Sequence, residues 1–239
     1  MPNAPTQAER RSRKPDPAAT RQNILAVARS EFVEHGLSGA RVDAIAALTH
    51  TTKRMIYYYF GSKEGLYLAV LEQAYGDIRA IEQTLDLQNL APLAAIRRLV
   101  EFTFDYQDAH PDFIRLVCIE NIHHGKFLAT SEKIRSLNIP VIESLASILE
   151  RGRAEGVFRA TADAVDMHMM ISAFCFFRVA NRYTFGTLFS RDLSAPEIRA
   201  RHKQLIGDAI LRFLQGDGTA AALPLAEVSR GRSGVRRPG

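Results

Sequence analysis

Residues 49–60 read THTTKRMIYYYF, and GSKEGL follows at once. In a helix that starts just after Thr52, Ile56 and Phe60 lie four residues apart on one apolar side. The opposite side is cationic and aromatic, with Lys53, Arg54, Tyr57 and Tyr58. A short helix of this kind can be anchored by its apolar side while the other side contacts phosphates and base edges, which predicts a helix that binds DNA. The same pattern also fits an ordinary amphipathic helix with a solvated face, but the flanking residues favour DNA binding.

Two more helices are predicted before this stretch. Residues 20–35 place apolar side chains at helical spacing, and Gly36 is a C-terminal stop. After the turn LSGA, a short second helix is marked by Val42, Ile45, Ala46 and Leu48. Three short helices, the last two joined by a tight turn, make a helix-turn-helix unit in which the first helix covers the apolar seam.

The composition indicates a globular chain. With 239 residues, of which 46% are hydrophobic, it can bury a sizeable core in one or two domains. No apolar run approaches the roughly 18 residues of a membrane span, and the N-terminus lacks an apolar signal segment, so we expect a soluble, cytoplasmic protein. Cys118 and Cys175 fit no metal-ligand spacing and are expected to be small buried residues. No metal and no cofactor are predicted.

Basic residues are concentrated at the two ends of the chain. Residues 1–63 hold ten Lys or Arg against five Asp or Glu, whereas residues 64–215 hold 17 against 19. The last 24 residues hold four against two. This distribution predicts a nucleic-acid-binding module attached to a near-neutral body that has another task.

Four segments follow from these patterns. Residues 1–16 form a basic tail that is expected to be disordered, residues 17–64 the DNA-binding domain, residues 65–215 an all-helical body, and residues 216–239 a second disordered tail. The RRSRK run in the first tail is either simply solvated or an arm that lies along phosphates or in the minor groove.

The body is predicted to be helical throughout. Ser62 caps a long helix that continues to about residue 85 and connects the DNA-binding unit to the body. Further helices are expected at residues 92–109, 112–123, 163–185 and 196–214. Another begins near residue 131, and Pro140 interrupts it with either a kink or a restart. The stretch from 163 to 185 is the most apolar, which predicts burial on more than one side.

The run from residue 24 to residue 71, with ARSEFVEHG and then VDAIAALTHTTKRMIYYYFGSKEGLYLAVL, resembles the DNA-binding domain of TetR-family transcriptional regulators. The order of its motifs is specific: an apolar helix, a Gly stop, an IA pair, a Ser or Thr cap, LYxxF-like aromatic residues and SKE. This resemblance implies an all-α fold, with a three-helix helix-turn-helix domain followed by a helical bundle that binds a ligand and dimerises.

Two positions depart from the family pattern. His50 stands where the family usually has a Gly with a positive φ, although His tolerates that region at a modest cost. Arg41 stands where the family often has a Ser or Thr that caps the second helix and binds phosphate. An arginine can contact phosphate by charge instead, but the cap is in doubt.

The resemblance also assigns contact residues. The positions that match its phosphate contacts are Thr52, Lys53, Tyr57, Tyr59 and Lys63, and those that match its base-reading positions are Arg54, Met55 and Tyr58. Arg54 is the best candidate for a guanine contact, because a guanidinium fits the O6 and N7 acceptors. Met55 either reads a base or packs in the protein.

A homodimer is expected, because one short helix reads too few bases to be selective. A two-fold dimer spans two half-sites of a palindromic operator about 34 Å apart or a multiple of that distance. The resemblance implies that the last two helices pair with those of the mate. Residues assigned to the body or this interface, without a division between them, are Phe174, Phe177, Val179, Leu205, Ile206, Ile210 and Phe213.

Polar side chains within apolar stretches are candidates for an effector site, since they need a partner once buried. The polar candidates are His123, His168, Arg178, Asn181 and Arg182, and the aromatic candidates are Phe104, Phe174 and Phe177. Arg178 and Asn181 beside two phenylalanines best suit an anionic or aromatic effector. A lone histidine among methionines is more often a satisfied core residue, and Arg178 or Arg182 can pair with a carboxylate across the dimer.

The body is also loosely similar to a TetR subgroup that includes a repressor of nicotinate catabolism, which does not identify the effector. A repressor released through the connecting helix at residues 65–85 is expected. An activator, or an accessory DNA-binding protein that binds no ligand, remains open. No nucleophile elbow, phosphate-binding glycine loop, HExxH or paired-carboxylate signature occurs, so no catalytic residue is predicted.

Overall fold

The computed structural model describes residues 16–216. Within this range the secondary structure is helical, without a strand, and the predicted all-α fold class is confirmed. The helices are α1 Pro17–Gly39, α2 Val42–Leu48, α3 Lys53–Phe60, α4 Lys63–Glu82, α5 Pro92–Ala109, α6 Pro111–Ile122, α7 Glu132–Ala154, α8 Ala164–Ala180, α9 Arg182–Leu188 and α10 Pro196–Gln215. Apart from residues 16 and 216, the two predicted tails lie outside the described residues.

The chain divides into two compact units. One contains residues 16–84 together with 106–139, and the other contains residues 85–105 together with 140–216. The first unit therefore holds the three predicted N-terminal helices, all of α4 and all of α6. The predicted domain boundary after residue 64 follows the sequence pattern and stays a prediction.

In the first unit, α1 supplies the core of the N-terminal helices. Its apolar side chains at helical spacing are buried, namely Ile24, Leu25, Ala28 and Phe32. The helix begins earlier than predicted, because the Asp16 carboxylate accepts a hydrogen bond from the Ala18 N–H and Pro17 fits the first turn. The predicted stop lies where expected: Gly36 has a φ of 67° and interrupts the helical geometry.

Polar contacts join α1, α4 and α6. Arg29 of α1 bonds Asp77 of α4 at 3.1 Å and Asp112 of α6 at 2.6 Å. The buried Glu120 accepts hydrogen bonds from two backbone N–H groups in the turn after α6, at 2.8 and 2.9 Å. Burial, together with the nearby Glu120 carboxylate, raises the pKa of Tyr67 of α4, so its phenol stays neutral at physiological pH.

The core of the second unit lies among α5, α7, α8 and α10. Its largest side chains include Phe104 of α5, Phe158 after α7 and Met167 of α8. Arg97 of α5 bonds Asp208 of α10 at 2.6 Å. A second α5–α10 ion pair joins Asp105 and Lys203. These contacts fix α10 against α5.

Several sequence expectations need correction. The predicted single helix at 163–185 is two helices, α8 and α9, because the backbone of Asn181, with a φ of −105° and a ψ of 12°, leaves the helical range and ends α8. Leu48, one of the apolar residues that mark the second helix, is 66% exposed, unlike Val42, Ile45 and Ala46. Pro140 lies inside α7, which continues on both sides, so of the two predicted alternatives, a kink or a restart, the restart does not occur. Cys118 is only half-buried.

Other expectations hold. Cys175 is buried, and burial raises the pKa of its thiol to about 12, which makes it unreactive near neutral pH. Ser62 caps α4 by accepting from the Gly65 N–H at 3.0 Å. None of the helices within residues 16–216 is both long and apolar enough to cross a bilayer.

The end of α7 packs closely enough to require glycine. A Cβ at Gly152 would overlap the ring of the buried Phe158, whose N–H also donates to the Gly152 carbonyl oxygen at 2.9 Å. We expect Gly152→Ala to lower the free energy of unfolding by about 1–3 kcal/mol, as overpacking does. Urea denaturation followed by circular dichroism measures this change.

The matched control is Gly76→Ala in α4, where a new Cβ meets no atom within 4 Å. This control should raise the free energy of unfolding by about 0.5–1 kcal/mol through the lower helix propensity of glycine. Equal effects of the two substitutions would contradict the close approach at Gly152.

Candidate functional site

The helix α3 presents the two faces that its sequence predicts. The Thr52 hydroxyl accepts from the Met55 N–H at 3.3 Å and caps the helix as expected. Ile56 is fully buried, whereas Tyr58 is 78% exposed. Phe60 is half-buried, with the Arg21 guanidinium 5.1 Å from its ring centroid. Ile56 therefore anchors the helix and leaves the opposite side accessible.

The turn before α3 has the expected backbone. His50 adopts a φ of 51°, the left-handed conformation for which glycine is usual. The buried Thr49 hydroxyl donates to the Ile45 carbonyl oxygen at 2.7 Å and closes the end of α2. Arg41 makes no side-chain cap on α2, which confirms the doubt about that cap, and its N–H donates to Glu31 at 2.8 Å.

The basic side chains on α3 and at the start of α4 differ in what they contact. Lys53 forms an ion pair with Asp43 of α2, and the Lys63 ammonium donates to the Ser38 carbonyl oxygen at 3.2 Å. The exposed Arg54 side chain makes no hydrogen bond or ion pair with another described residue. Both lysines must exchange a contact to reach a phosphate, whereas Arg54 is available for a base edge.

The remaining predicted contact residues lie on the same helix. Met55 is 36% exposed, so it is neither fully buried nor fully free, and Tyr57 is also exposed. Tyr59 is half-buried, with its ring centroid 5.4 Å from that of Tyr58. Tyr58 and Tyr59 therefore pack against each other, whereas Tyr57 is exposed without a ring contact to them.

A cavity of about 170 Å³ lies in the second unit, between α8, α9 and α10. Three of the predicted effector residues line it: Phe174, Phe177 and Arg178. The rest of its wall consists of Phe185, Leu193, His202, Leu205 and Ile206. The cavity is therefore largely apolar, with two cationic or potentially cationic groups in its wall.

Arg178 is held in place on both sides. Arg178 is only 5% exposed, and its guanidinium lies 4.4 Å from the centroid of the Phe104 ring. Its Nη1 donates to the Leu193 carbonyl oxygen at 2.5 Å. Burial, and then the positive charges of Arg182 and Arg199, lower the pKa of Arg178 to about 10, so the group is still charged at neutral pH.

His202 of α10 faces the same cavity. Burial lowers its pKa, and the neighbouring charges of Arg178, Arg191 and Arg201 lower it further, so the imidazole is neutral at physiological pH. Sequence inspection missed this residue, although it lies three and four positions before two apolar wall residues of the same helix, Leu205 and Ile206. Phe185 and Leu193 were also missed.

The other predicted effector residues do not line this cavity. Phe104 is buried behind Arg178, and Asn181 bonds the end of α8. His168 is half-buried elsewhere on α8. His123 belongs to the first unit, where its ring centroid is 5.8 Å from that of Phe127. No group of three or more His, Cys, Asp or Glu side chains within residues 16–216 could hold a metal.

The structure separates core residues from exposed ones on α8 and α10. Among the residues assigned to body or interface, Val179, Ile206 and Ile210 are buried, Phe213 is half-buried, and Phe174, Phe177 and Leu205 are exposed. One side of α8 is an exposed stripe at four-residue spacing, formed by Val165, Met169, Ala173 and Phe177. In the single chain, α8 is therefore buried on one side only.

Comparison with known proteins identifies both parts of the chain. Residues 24–70 match the family described as bacterial regulatory proteins, tetR family. Residues 92–210 match the family described as tetracyclin repressor-like, C-terminal domain. The first match covers the helix-turn-helix residues, and the second covers α5 to most of α10.

Individual relatives agree with these matches. The HTH-type transcriptional repressor NicS of Pseudomonas putida is 37% identical over 196 residues, which cover 82% of this chain and 92% of NicS. The HTH-type transcriptional repressor SCO4008 of Streptomyces coelicolor is 32% identical over 158 residues, which cover 66% of this chain and 77% of SCO4008.

A solved structure is similar across the fold. The crystal structure of the regulator SCO4942 from Streptomyces coelicolor matches with a TM-score of 0.60 and 27% identity, over 80% of this chain and 96% of that one. With both segments matched in order and a relative similar over nearly its full length, the chain belongs to the TetR family of transcriptional regulators.

Proposed function

We propose that this regulator is a homodimeric repressor that binds a palindromic operator and releases it when a small molecule occupies the second unit. The observation that supports DNA reading most directly is the geometry of α3, with Ile56 fully buried and Tyr58 and Arg54 exposed on the other side. A helix anchored in this way can lie in the major groove without losing its own packing.

The proposed contacts divide by chemistry. Arg54 reads a base, with its guanidinium on the O6 and N7 acceptors of a guanine, and Met55 and Tyr58 complete the base-reading side. Phosphate contacts come from Arg41, Thr52, Lys53, Tyr57, Tyr59 and Lys63. Two copies of α3 place these contacts in successive major grooves, about 34 Å apart.

Repression, as opposed to activation, is supported by the relatives. NicS and SCO4008 are both named transcriptional repressors, and each covers most of its length against this chain. A protein that binds the bacterial chromosome works in the cytoplasm, and we place this regulator there. An activator would have to make a productive contact with the transcription machinery, and no observation favours one.

Release by an effector requires a second state of the dimer. Because α4 begins three residues after α3 ends, a shift of α4 changes the placement of α3, the proposed DNA-reading helix. A coupling free energy of about 1–3 kcal/mol, a 5- to 150-fold change in operator affinity, is typical of such regulators.

The competing function is an accessory DNA-binding protein without a ligand. Operator selection from random DNA, followed by screening of small molecules for thermal stabilisation, separates the two. A compound that raises the melting temperature and also weakens operator binding supports the repressor. Selective operator binding with no stabilising compound found would favour the accessory protein.

The base-reading role of Arg54 is testable by substitution. Arg54→Ala should weaken binding to the selected operator by about 1–3 kcal/mol and relax specificity at one base pair, because a bidentate base contact is lost. Fluorescence anisotropy on the operator and on random DNA measures both effects. Equal losses on the two DNAs would contradict base reading.

The control for Arg54 is Lys53→Ala on the same helix. Its exposed ion pair with Asp43 contributes little to stability, so the variant should fold. Loss of a phosphate contact should weaken all sequences alike and reduce the slope of log affinity against log salt by about one. Lys63 suits this purpose less well, since its ammonium also bonds Ser38.

The cap of α3 should matter for both stability and binding. Thr52→Ala removes the hydroxyl that accepts from Met55 and should destabilise the protein by about 1 kcal/mol. Thr52→Ser keeps the oxygen and should retain most of the stability. Thermal unfolding of the two variants checks the difference, and equal melting temperatures would contradict the cap.

Dimerisation through α8 is testable at Met169, which is 61% exposed on the stripe and does not line the cavity. Met169→Glu places a charge where the mate is proposed to pack, so dimerisation should weaken at least tenfold, since a buried unpaired carboxylate costs several kcal/mol. Sedimentation velocity measures it. Ile122→Glu, exposed on α6, is the control; a dimer equally stable in both variants would exclude this face.

A further inference from the structure

The volume of the α8–α10 cavity limits what it can hold. An engineered protein cavity of about 150 Å³ with apolar walls accommodates one benzene molecule. The cavity described above, at about 170 Å³, is of the same size. Six of its eight wall residues are apolar, three of them phenylalanines. A single six-membered ring therefore fits both its size and its walls.

The charges around the cavity have one predominant sign. The positive charges of two arginines, Arg182 and Arg199, lower the pKa of Arg178, and one carboxylate, Asp105, raises it. The Asp105 carboxylate also accepts from the Lys203 ammonium at 2.9 and 3.0 Å. The positive charges of Arg178, Arg191 and Arg201 lower the pKa of His202. The cavity therefore carries a positive potential that attracts an anion.

The geometry fixes where an anion would bind. Arg178 is in the wall and nearly buried, and its packing on Phe104 and its bond to the Leu193 carbonyl oxygen hold the guanidinium still. A carboxylate in such a place forms a charge-assisted hydrogen bond in a low-dielectric environment. His202 in the same wall can donate a second hydrogen bond as neutral imidazole.

We propose that this cavity binds a small carboxylate with one aromatic ring, with the ring among the phenylalanines and the carboxylate on Arg178 and His202. This inference rests on the proposed function, because it names the chemical class of the effector. Inorganic phosphate is a poorer fit, since its full hydration shell would be lost against apolar walls. A side chain of the mate is the competing occupant, because Phe174, Phe177 and Leu205 are exposed in the single chain.

The test uses the full-length chain and three small probes in titration calorimetry. Benzoate carries both the ring and the charge, benzamide the ring alone, and acetate the charge alone. We expect benzoate to bind one site per chain at least tenfold more tightly than either. Equal binding of benzamide and benzoate, equal binding of acetate and benzoate, or no binding of any probe overturns the proposal.

Two variants locate the site. Arg178→Met should reduce benzoate affinity at least tenfold. Its matched control is Arg151→Met, since Arg151 lies in the same unit and donates to the backbone carbonyl oxygens of Leu87, Gln88 and Leu90 without lining the cavity. A similar loss in both variants contradicts the site.

A third variant keeps the test decisive if Arg178→Met does not fold. Leu205→Phe enlarges an exposed wall residue, so it should reduce the space for the ring while Arg178 remains. We expect at least fivefold weaker benzoate binding with unchanged circular dichroism. Unchanged benzoate affinity in this folded variant overturns the assignment.

The Met169→Glu variant separates the two possible occupants. If benzoate binds the monomeric variant but not the wild-type dimer, the mate fills the cavity and the proposal is wrong. Binding to both supports it.

Operator binding on the same samples keeps the two proposals apart. Selective operator binding without preference for benzoate overturns the effector class alone. A preference for benzoate without selective operator binding supports the cavity assignment and overturns the repressor.

Discussion

The burial of Ile56 is the contact on which the DNA-binding surface depends. The helix α3 has only eight residues, and isolated helices shorter than about 12–15 residues are marginal in water. Its stability must come from Ile56 in the core and from the caps at its ends, Thr52 before it and Gly61 at a φ of 75° after it. Because Ile56, the half-buried Phe60 and the Thr52 cap hold the helix, its exposed positions are free to vary with the DNA sequence that is read.

In the second unit, the cavity depends in a similar way on one buried side chain, that of Arg178. A buried guanidinium is tolerated only with compensating contacts, and the Phe104 ring and the Leu193 carbonyl oxygen supply two of them. The same contacts that make its burial tolerable also remove its freedom to move toward solvent. The cavity wall therefore carries a fixed positive charge beside apolar surface, which selects for ligands that have both an apolar body and a negative group.

The sequence predicted the fold best where a local signal was strong. The bounds of α2 and α5 agree with the prediction, because the apolar residues of α2 run from Val42 to Leu48 and prolines mark both ends of α5, at Pro92 and Pro111. The end of α8 was missed, since aromatic residues continue past it to Phe185 and only the backbone geometry of Asn181 shows that the helix stops. His202 was missed because α10 is rich in charged residues, so one imidazole has no distinctive pattern. Burial of a polar side chain is a tertiary property.

The contacts of Arg29 bear on how the DNA-binding helices could respond to a change elsewhere in the first unit. Arg29 lies on α1, yet its guanidinium bonds carboxylates on α4 and α6 at once, from Asp77 and Asp112. A displacement of α4 along its axis that kept α6 in place would break one of these bonds. Helix α1 therefore either moves together with α4 and α6 or loses a charge-assisted hydrogen bond. Discrete alternatives of this kind, not gradual deformation, are what a switch between operator-bound and released states requires.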